Sequence, residues 1–402
     1  MTDSDLDWTH LFAARAKKAG GDLTAILALA GSSETITFSG GFPAEEAFPV
    51  DLLRGVVDEI LSSDPARALQ YSPSEGLATA RQAVADLVAA SQRLRPDPSE
   101  VLITSGGIEA LGLISKVLLE AGDRVAVEAP TYLGALTSFS GFAADLHPLP
   151  MDHDSLVVDQ ISSFLAAGHY KLAYVIPDHQ NPTGLSMSLE QRRALVEACR
   201  RNGVLLVEDV AYRELGFAGR PAESLWSLGP DVVLQVGTFS KILFPGVRLG
   251  WALGPPEVLR AMAGAKQSSD QCAGSLGQAI MEGVVTGGGF RAHLDAVRGI
   301  YAGRAAAMLG ALDRHMPDGV SWTRPSGGFF VWLTAREGTD TALVATEALR
   351  RGVAYVPGRP FYVDGRGARQ MRLAYSGVTE PRIEEGISRL APLLQQPGGK
   401  FL

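Results

Sequence analysis

Between residues 100 and 255, short apolar runs alternate with segments of helical periodicity, and this alternation restricts the possible folds more than any other feature. Nearly continuous apolar strands that alternate with helices are typical of a mainly parallel sheet covered on both faces. The sequence therefore predicts an α/β fold. Predicted strands cover residues 101–104, 124–128, 172–176, 204–209, 232–237 and 248–253, with helices at about 50–62, 76–94, 107–121, 132–141, 155–167 and 188–202.

After residue 300 the pattern changes. A long helix is followed by a strand at 329–334, a helix at 340–351, a strand at 371–376 and a closing helix. This mixture predicts a second, smaller α+β domain. The length of 402 residues agrees with it, since such a chain commonly forms two or three domains.

The composition excludes several classes of protein. A net charge of −8 argues against nucleic acid or an anionic membrane surface as the main partner. No apolar stretch approaches the roughly 18 residues of a membrane span, and the first residues, MTDSDLDWTH, do not resemble a signal peptide. The two cysteines, Cys199 and Cys272, form neither a disulfide framework nor a zinc-site spacing, so no metal is expected. We expect a soluble, cytoplasmic protein with Cys199 in the core or at its boundary.

Residues that follow the apolar runs are the most informative, because ligand sites in open parallel sheets lie at the carboxyl ends of the strands. In TSGGIEA, residues 104–110, a Ser-Gly-Gly turn opens a helix. Such a turn can bind phosphate through free backbone N–H groups, or it can be a plain tight turn.

Polar residues follow the next two runs. Asn181 lies in PDHQNPTG, and Glu208 and Asp209 end a strand three residues before Tyr212. A carboxylate at the end of a buried strand needs a positive or hydrogen-bonding partner. The plainer interpretations are an Asn-Pro turn and a helix N-cap aspartate.

Lys241 stands in TFSKILFPGVRLGW, residues 238–251, among apolar side chains. An apolar setting lowers the pKa of an amine and makes it a nucleophile. Thr238, Ser240 and Arg248 could form an anion site beside it, whereas a single lysine after a strand is usually exposed. The other six lysines are expected to be solvated charges: Lys17, Lys18, Lys116, Lys171, Lys266 and Lys400.

These residues together meet the needs of one cofactor. A reactive lysine can form a Schiff base, a buried carboxylate can hold a pyridinium nitrogen protonated, and tyrosine with asparagine can bond a ring oxygen. Hydroxyl groups, an arginine and a helix N-terminus can bind a phosphate monoester. Pyridoxal 5′-phosphate has these requirements, and its ring is an electron sink for amino-acid chemistry.

From about residue 38 to 395 the chain resembles the fold-type I, class I/II pyridoxal-phosphate-dependent aminotransferases, in particular the kynurenine–aminoadipate and multi-substrate bacterial branch. QNPTG followed by D-x-x-Y and by S-K-x(6)-R-x-G is specific as a set. The matching motifs, in family order, are GGFP, YSPSEG, SGG, PTY, QNPTG, EDVAY, SKILFPGVRLGW, GGFF, VPG and MRLAYS.

The resemblance implies ping-pong transamination between an L-amino acid and a 2-oxo acid through a Schiff base on Lys241, which would also transfer the proton. Asp209 would pair with the pyridine nitrogen, and Tyr212 and Asn181 would bond the phenolic oxygen. Tyr132 would stack on the ring. Further implied contacts are with the phosphate (Ser105, Gly106, Gly107, Thr238, Ser240, Arg248 and, from the neighbouring subunit, Tyr71) and with the substrate (Arg372 on the α-carboxylate, Asn181 and Gly41).

The resemblance also implies a homodimer with shared active sites and two domains. The large cofactor-binding domain would span residues 50–300, and the small domain would combine residues 1–49 with 301–402, because Gly41 and Arg372 must close over one substrate. Loops around residues 20–45 and 265–275 would decide which side chain is accepted.

Two departures from the family pattern stand out. Gly107 and Ile108 occupy positions where relatives often carry a hydroxyl or amide side chain, so backbone N–H groups would bind more of the phosphate. The Asp178-His179 pair before Gln180 is unusual. His179 could belong to the pocket or support it from behind, and we expect the alternative, a histidine in a surface turn.

Two other functions deserve comparison. The same site could run another pyridoxal-phosphate reaction, such as β-elimination, decarboxylation or oxidation, because the cofactor supplies the chemistry. A ligand-sensing regulator on the same fold would carry an N-terminal winged-helix domain. The GGFP segment begins at residue 40 and no basic block precedes it, so a regulator of this kind is not expected. Transamination is the preferred prediction.

Overall fold

The computed structural model describes residues 8–13, 15–16, 35–152, 155–219 and 221–395. Lys17, Lys18 and Lys400 lie outside the described residues, as do residues 20–34 of the expected specificity loop. The strands are β1 (Ile36–Thr37), β2 (Val101–Thr104), β3 (Arg124–Val127), β4 (Asp145–Pro148), β5 (Met151–Asp152), β6 (Ser155–Leu156), β7 (Leu172–Val175), β8 (Leu205–Asp209), β9 (Val233–Thr238), β10 (Gly250–Leu253), β11 (Ser321–Trp322), β12 (Phe330–Thr334), β13 (Val353–Ala354), β14 (Val356–Pro357) and β15 (Gln370–Ala374).

A sheet of seven strands forms the centre of the molecule, in the order β2-β10-β9-β8-β7-β3-β4. Six strands are parallel, and β10 runs antiparallel to its neighbours β2 and β9. Strands β2, β7 and β9 are buried along their whole length, which agrees with their apolar sequences. The predicted mainly parallel sheet is confirmed, and the edge strand β4 is an addition to the prediction.

Helices cover both faces of this sheet, as the alternating pattern predicts. The helix over residues 189–202 has complete local signals: Ser188 and Gln191 form a capping box, and Gly203 ends it in the left-handed conformation. The helices are α1 (Val50–Ser63), α2 (Pro65–Leu69), α3 (Ala78–Gln92), α4 (Gly107–Leu118), α5 (Leu133–Gly141), α6 (Val158–Gly168), α7 (Leu189–Asn202), α8 (Leu225–Leu228), α9 (Pro256–Gln267), α10 (Ser275–Thr286), α11 (Phe290–His315), α12 (Thr341–Arg350) and α13 (Glu380–Leu390).

The C-terminal part contains an antiparallel sheet in the order β11-β12-β15-β14. Strand β1 pairs in parallel with β13, so the N-terminal segment is joined to the C-terminal part of the chain. Helix α11 passes through residue 300, where the sequence placed the domain boundary. The two-domain division stays a prediction.

The carboxyl ends of β2, β7, β8 and β9 meet at one edge of the large sheet. The parallel arrangement therefore collects the predicted polar residues in one region. They lie at these ends or just after them: residues 105, 178–181, 209 and 238–241. Cys199 is fully buried on α7, as expected. In the described part of the chain no helix is long and apolar enough to cross a membrane.

Candidate active site

A cavity of about 280 Å³ opens at this edge of the sheet. It collects residues from the N-terminal segment, the ends of four strands and the C-terminal part of the chain. The predicted site residues that line it are Gly41, Gly107, Tyr132, Asn181, Asp209, Tyr212, Thr238, Ser240, Lys241, Arg248 and Arg372.

Lys241 is half-buried in the cavity wall, and its Nζ donates a hydrogen bond of 2.9 Å to the carbonyl oxygen of Gly41. Its amine lies 5.8 Å from the centre of the Phe329 ring. Burial, with the positive charges of Arg372 and Arg248, lowers the pKa of Lys241 to about 8. A substantial fraction of this amine is therefore neutral, and nucleophilic, near physiological pH.

Asp209 ends strand β8 at the floor of the cavity. Its carboxylate accepts hydrogen bonds from the Tyr174 hydroxyl at 2.8 Å and from the backbone N–H of Ala211 at 3.0 Å. Burial raises the pKa of Asp209 despite these bonds. A buried carboxylate of this kind gains from a cationic partner, such as a protonated ring nitrogen. The carboxylate of the neighbouring Glu208 instead accepts hydrogen bonds from the backbone N–H groups of Leu225 and Trp226 and from the Gln235 amide.

Asn181, Tyr212 and Tyr132 lie along the cavity between Asp209 and Arg372. Asn181 and Tyr212 are hydrogen-bonded through their side chains, and Tyr212 packs edge-on against Phe329 and Phe330. Burial raises the pKa of Tyr132 to about 12, so its hydroxyl stays protonated. These groups can bond an oxygen on an aromatic ligand and contact its ring.

The polar end of the cavity has the chemistry of an anion site. The Thr238 and Ser240 hydroxyls are 3.1 Å apart, and Arg248 Nη1 lies 3.4 Å from Ser240 Oγ. Gly107 begins helix α4 beside them. Gly106 has φ +108°, and a Cβ there would lie 2.9 Å from Arg248 Nη2, so only glycine suits this position.

Ser105 is placed differently from the expectation. Its hydroxyl donates to Asp270 Oδ2 at 2.7 Å, and its backbone N–H donates to Glu109. Its carbonyl oxygen accepts from Arg248 Nη2 at 3.3 Å. The donors of Ser105 are thus engaged by carboxylates, and the residue does not line the described cavity.

Arg372 enters the cavity from strand β15 of the smaller sheet. Its Nη1 donates to Asn181 Oδ1 at 2.8 Å and its Nη2 to the Ser39 carbonyl at 2.6 Å. The guanidinium lies 4.5 Å from the centre of the Phe330 ring, and burial lowers the pKa of Arg372 to about 10. Its buried Nε has no partner in the described structure. A fixed guanidinium with unused donors can bind a carboxylate.

Tyr71 does not reach the cavity of its own chain. Its side chain is 74% exposed, on the loop after α2. This placement leaves the tyrosine free to contact another molecule.

The structure corrects two expectations. His179 is only 5% exposed, not a surface-turn residue: its backbone N–H donates to Ser186 Oγ, and a Cβ on Gly327 would meet its ring at 2.4 Å. Burial lowers the pKa of His179 to about 4, so the ring is neutral. Lys266 was expected to be solvated, but it is fully buried and paired with Glu109 and Asp270.

Sequence reasoning missed several residues of the cavity wall. Ser39 and Phe42 flank the glycines of the GGFP motif and could have been found from that proximity. Leu133 and Phe330 carry no chemical signal, since an apolar residue in a pocket has the same sequence appearance as one in the core. Asp178, the partner of the buried Arg192 and Arg213, supports the loop that carries Asn181.

The arrangement fits pyridoxal phosphate. A lysine with a lowered pKa, a buried carboxylate in need of a cation and a hydroxyl–guanidinium cluster beside a glycine turn border one cavity. These are the donors that the cofactor's aldehyde, ring nitrogen and phosphate require.

Comparisons with known proteins agree with this chemistry. The family model described as aminotransferase class I and II matches residues 43–390. Aromatic-amino-acid aminotransferase 1 of Thermococcus litoralis is 37% identical over 97% of this chain and 95% of its own, and 2-aminoadipate transaminase of Thermus thermophilus is 36% identical over 97% and 98%. The crystal structure of a multiple substrate aminotransferase from Thermococcus profundus superposes with a TM-score of 0.92 at 35% identity, covering 97% of this chain and 98% of that one.

The predicted fold type, cofactor and reaction are thereby confirmed. Residues 43–390 are most of the chain, and the identities extend over nearly all of it. The chain belongs to the class I and II aminotransferases and is a pyridoxal-phosphate-dependent enzyme that transfers amino groups.

Proposed function

We propose that this aminotransferase takes L-amino acids with apolar or aromatic side chains as amino donors and a 2-oxo acid as acceptor. The observation that carries the proposal is the distribution of charge in the described cavity wall. Lys241, Arg248 and Arg372 are the cationic side chains there, and each has a task. No further cation of the described wall is left for a second carboxylate on the donor.

Apolar groups supply the remaining surface. The donor side chain would pack among Phe42, Ile108, Leu133 and Phe330, which border the cavity around Lys241 and Arg372. Burying a side chain of the size of leucine or phenylalanine there would stabilise the complex by about 1.5–3 kcal/mol. An acidic side chain would lose its hydration without gaining a partner.

In this proposal each site residue has a role that its position supports. Bound pyridoxal phosphate supplies an electron sink that makes the α-proton of an amino acid acidic. Neutral Lys241 Nζ would accept and return that proton, and the Asp209 carboxylate would pair with the ring nitrogen. Asn181 and Tyr212 would bond the phenolic oxygen, Tyr132 would contact the ring, and Arg372 would hold the α-carboxylate.

The phosphate lies, in this proposal, against Gly106, Gly107, Thr238, Ser240 and Arg248. Ser105 affects the phosphate only by fixing the conformation of this loop, because its own donors are bonded to Glu109 and Asp270. Tyr71 of a second copy of the chain completes the site, which makes the enzyme a homodimer with shared active sites. Its exposed ring, beside Leu69 at 66% exposure, supports an interface in this region. The cytoplasmic location stays a prediction.

A panel of amino donors tests the substrate proposal. We expect kcat/KM for phenylalanine, leucine and methionine to exceed that for aspartate, glutamate and 2-aminoadipate, as read from the released 2-oxo acid. Phe42→Ala should lower kcat/KM for phenylalanine about tenfold, corresponding to the loss of part of an apolar contact, and change the value for alanine much less. Phe142→Ala, on an exposed phenylalanine after α5, is the matched control. A preference for dicarboxylic donors would contradict the proposal.

A further inference from the structure

Lys266 is the unexpected lysine of this chain. It lies at the end of α9 with no exposed surface, and its Nζ contacts Glu109 of α4 at 2.7 Å and Asp270 at 2.8 Å. Removing a charged amine from water is costly unless the amine is well paired. Its four carboxylate contacts, two on each partner, satisfy that condition.

The two carboxylates also bind the turn that begins α4. Glu109 accepts the backbone N–H of Ser105, and Asp270 accepts the Ser105 hydroxyl. On its other side the Ser105 carbonyl accepts from Arg248, and Gly106 approaches the same guanidinium. A short chain of bonds therefore connects Lys266 through Ser105 to the anion end of the cavity.

The charge of this cluster matters because of its position. With both carboxylates ionised, Glu109, Asp270 and Lys266 carry a net charge of −1 behind a site that must bind a phosphate dianion. Without Lys266 the charge would be −2, and both effects, repulsion of the phosphate and displacement of Ser105, would act against the cofactor.

We propose that Lys266 is a positioning residue for the cofactor phosphate: it holds Glu109 and Asp270, and through them Ser105, and it neutralises negative charge behind the anion site. The inference rests on the phosphate position given under the proposed function.

Protonation of Glu109 should favour phosphate binding, as Lys266 does, because it removes one negative charge from behind the anion site. Burial raises the pKa of Glu109, and the hydrogen bonds from Lys266 and from the Ser105 backbone oppose that shift. The charged groups that face Glu109 are Lys266 and Asp270 directly, with Arg248 beyond Ser105. Helix α5 and strands β2, β9 and β10, which lie near α4, contain no charged residue. Phosphate binding should therefore be weaker with Glu109 ionised than with Glu109 protonated.

The test compares two ligands, pyridoxal 5′-phosphate and pyridoxal, by titrating apoenzyme prepared from the holoenzyme. Lys266→Met should weaken binding of pyridoxal 5′-phosphate about tenfold, the effect of about one partly screened charge, and change the pyridoxal affinity less than twofold. Lys171→Met, which removes an exposed lysine paired with Asp123, should change neither. Equal weakening of both ligands would overturn the proposal, because it would show a general structural defect.

Glu109→Gln keeps the test decisive if Lys266→Met fails to fold. This variant should bind pyridoxal 5′-phosphate more tightly than the wild type, because glutamine removes one negative charge from behind the anion site and keeps an oxygen that can accept the Ser105 N–H. An unchanged affinity would overturn the proposal. In the background of Lys266→Met, adding Glu109→Gln and Asp270→Asn should restore at least part of the affinity.

Arg248→Ala separates this inference from the proposed function. If Arg248→Ala weakens pyridoxal 5′-phosphate selectively and Lys266→Met does not, only the role of Lys266 is wrong. If Arg248→Ala has no selective effect, the phosphate lies elsewhere, and both proposals are wrong.

Discussion

Lys241 Nζ donates a 2.9 Å hydrogen bond to the carbonyl oxygen of Gly41, a residue 200 positions earlier in the chain. Arg372 Nη2 likewise donates a hydrogen bond of 2.6 Å to the carbonyl oxygen of Ser39. Two cations of the cavity thus hold the same N-terminal segment, which is anchored further by the Ser376 hydroxyl on the Phe42 carbonyl. The segment forms part of the wall of the active site.

The lowered pKa of Lys241 predicts how cofactor uptake depends on pH. Only the neutral amine is a nucleophile, and with a pKa of about 8 its fraction rises about tenfold between pH 7 and 9 and then levels off. We expect the rate of pyridoxal phosphate uptake by the apoenzyme to follow that curve, measured by absorbance in a stopped-flow instrument. A rate still rising steeply above about pH 10 would indicate an ordinary lysine.

Lys241→Ala should abolish transamination and covalent attachment of the cofactor, since Lys241 is the lysine that lines the cavity among the described residues. Borohydride reduction followed by mass spectrometry should show the cofactor on the wild-type chain and not on the variant. Attachment to the variant at wild-type yield would contradict the assignment.

Arg372→Lys tests the carboxylate contact. A lysine keeps the charge but loses the planar fork, so KM for the amino donor should rise about 30- to 100-fold, while the affinity for pyridoxal phosphate changes less than about threefold. Steady-state kinetics and cofactor titration measure the two effects. A large loss of cofactor affinity with an unchanged KM would show that Arg372 does not bind the substrate.

Sharing of active sites between subunits predicts complementation. Lys241→Ala and Tyr71→Ala homodimers should each be impaired, the first completely. If equal amounts of the two variants are unfolded and refolded together, half of the dimers contain one chain of each variant. Each such heterodimer has one intact site, formed by Lys241 of one chain and Tyr71 of the other. Activity should then reach about a quarter of the wild-type value. Light scattering verifies the dimer, and activity no higher than the mean of the two variants would argue against a shared site.

The buried carboxylate of Asp178 should make the free energy of unfolding depend on pH. Burial opposes its charge, but the adjacent Arg213 and Arg192 outweigh burial and lower the pKa of Asp178. Since the folded pKa is depressed, the stabilisation is present above the unfolded pKa of about 3.9 and is lost as pH falls through the lower folded value. Asp178→Asn should reduce the free energy of unfolding by about 3–5 kcal/mol at neutral pH, because two buried guanidinium groups lose their anion.

Urea denaturation at a series of pH values measures this effect. The difference between wild type and Asp178→Asn should shrink only in strong acid. Asp51→Asn, at an exposed ion pair with Arg54, is the control and should change the free energy of unfolding by less than about 0.5 kcal/mol. A similar loss in both variants would mean that the buried network contributes no special stability.

Local patterns predicted most strands and several helices to within a few residues. The strand at 101–104 and the helix at 189–202 are examples, because a run of apolar residues or a capping box acts over a few neighbours. The local patterns did not predict the edge strand β4 or the antiparallel direction of β10. Direction and edge position depend on which strands become neighbours, and that is decided by the whole sheet.

The same division holds for the active site. The sequence by itself determined the chemistry, since Lys241, Asp209, Asn181 and Arg372 belong to motifs that resemble one enzyme family. Only the tertiary structure decided that Ser105 faces carboxylates, that His179 is enclosed and that Lys266 is buried. A lysine is solvated by default, and what makes its burial stable is its pairing with Asp270, four residues later, and with Glu109 from another helix. Sequence spacing contains no record of the approach of Glu109, because it arises from the packing of α9 against α4.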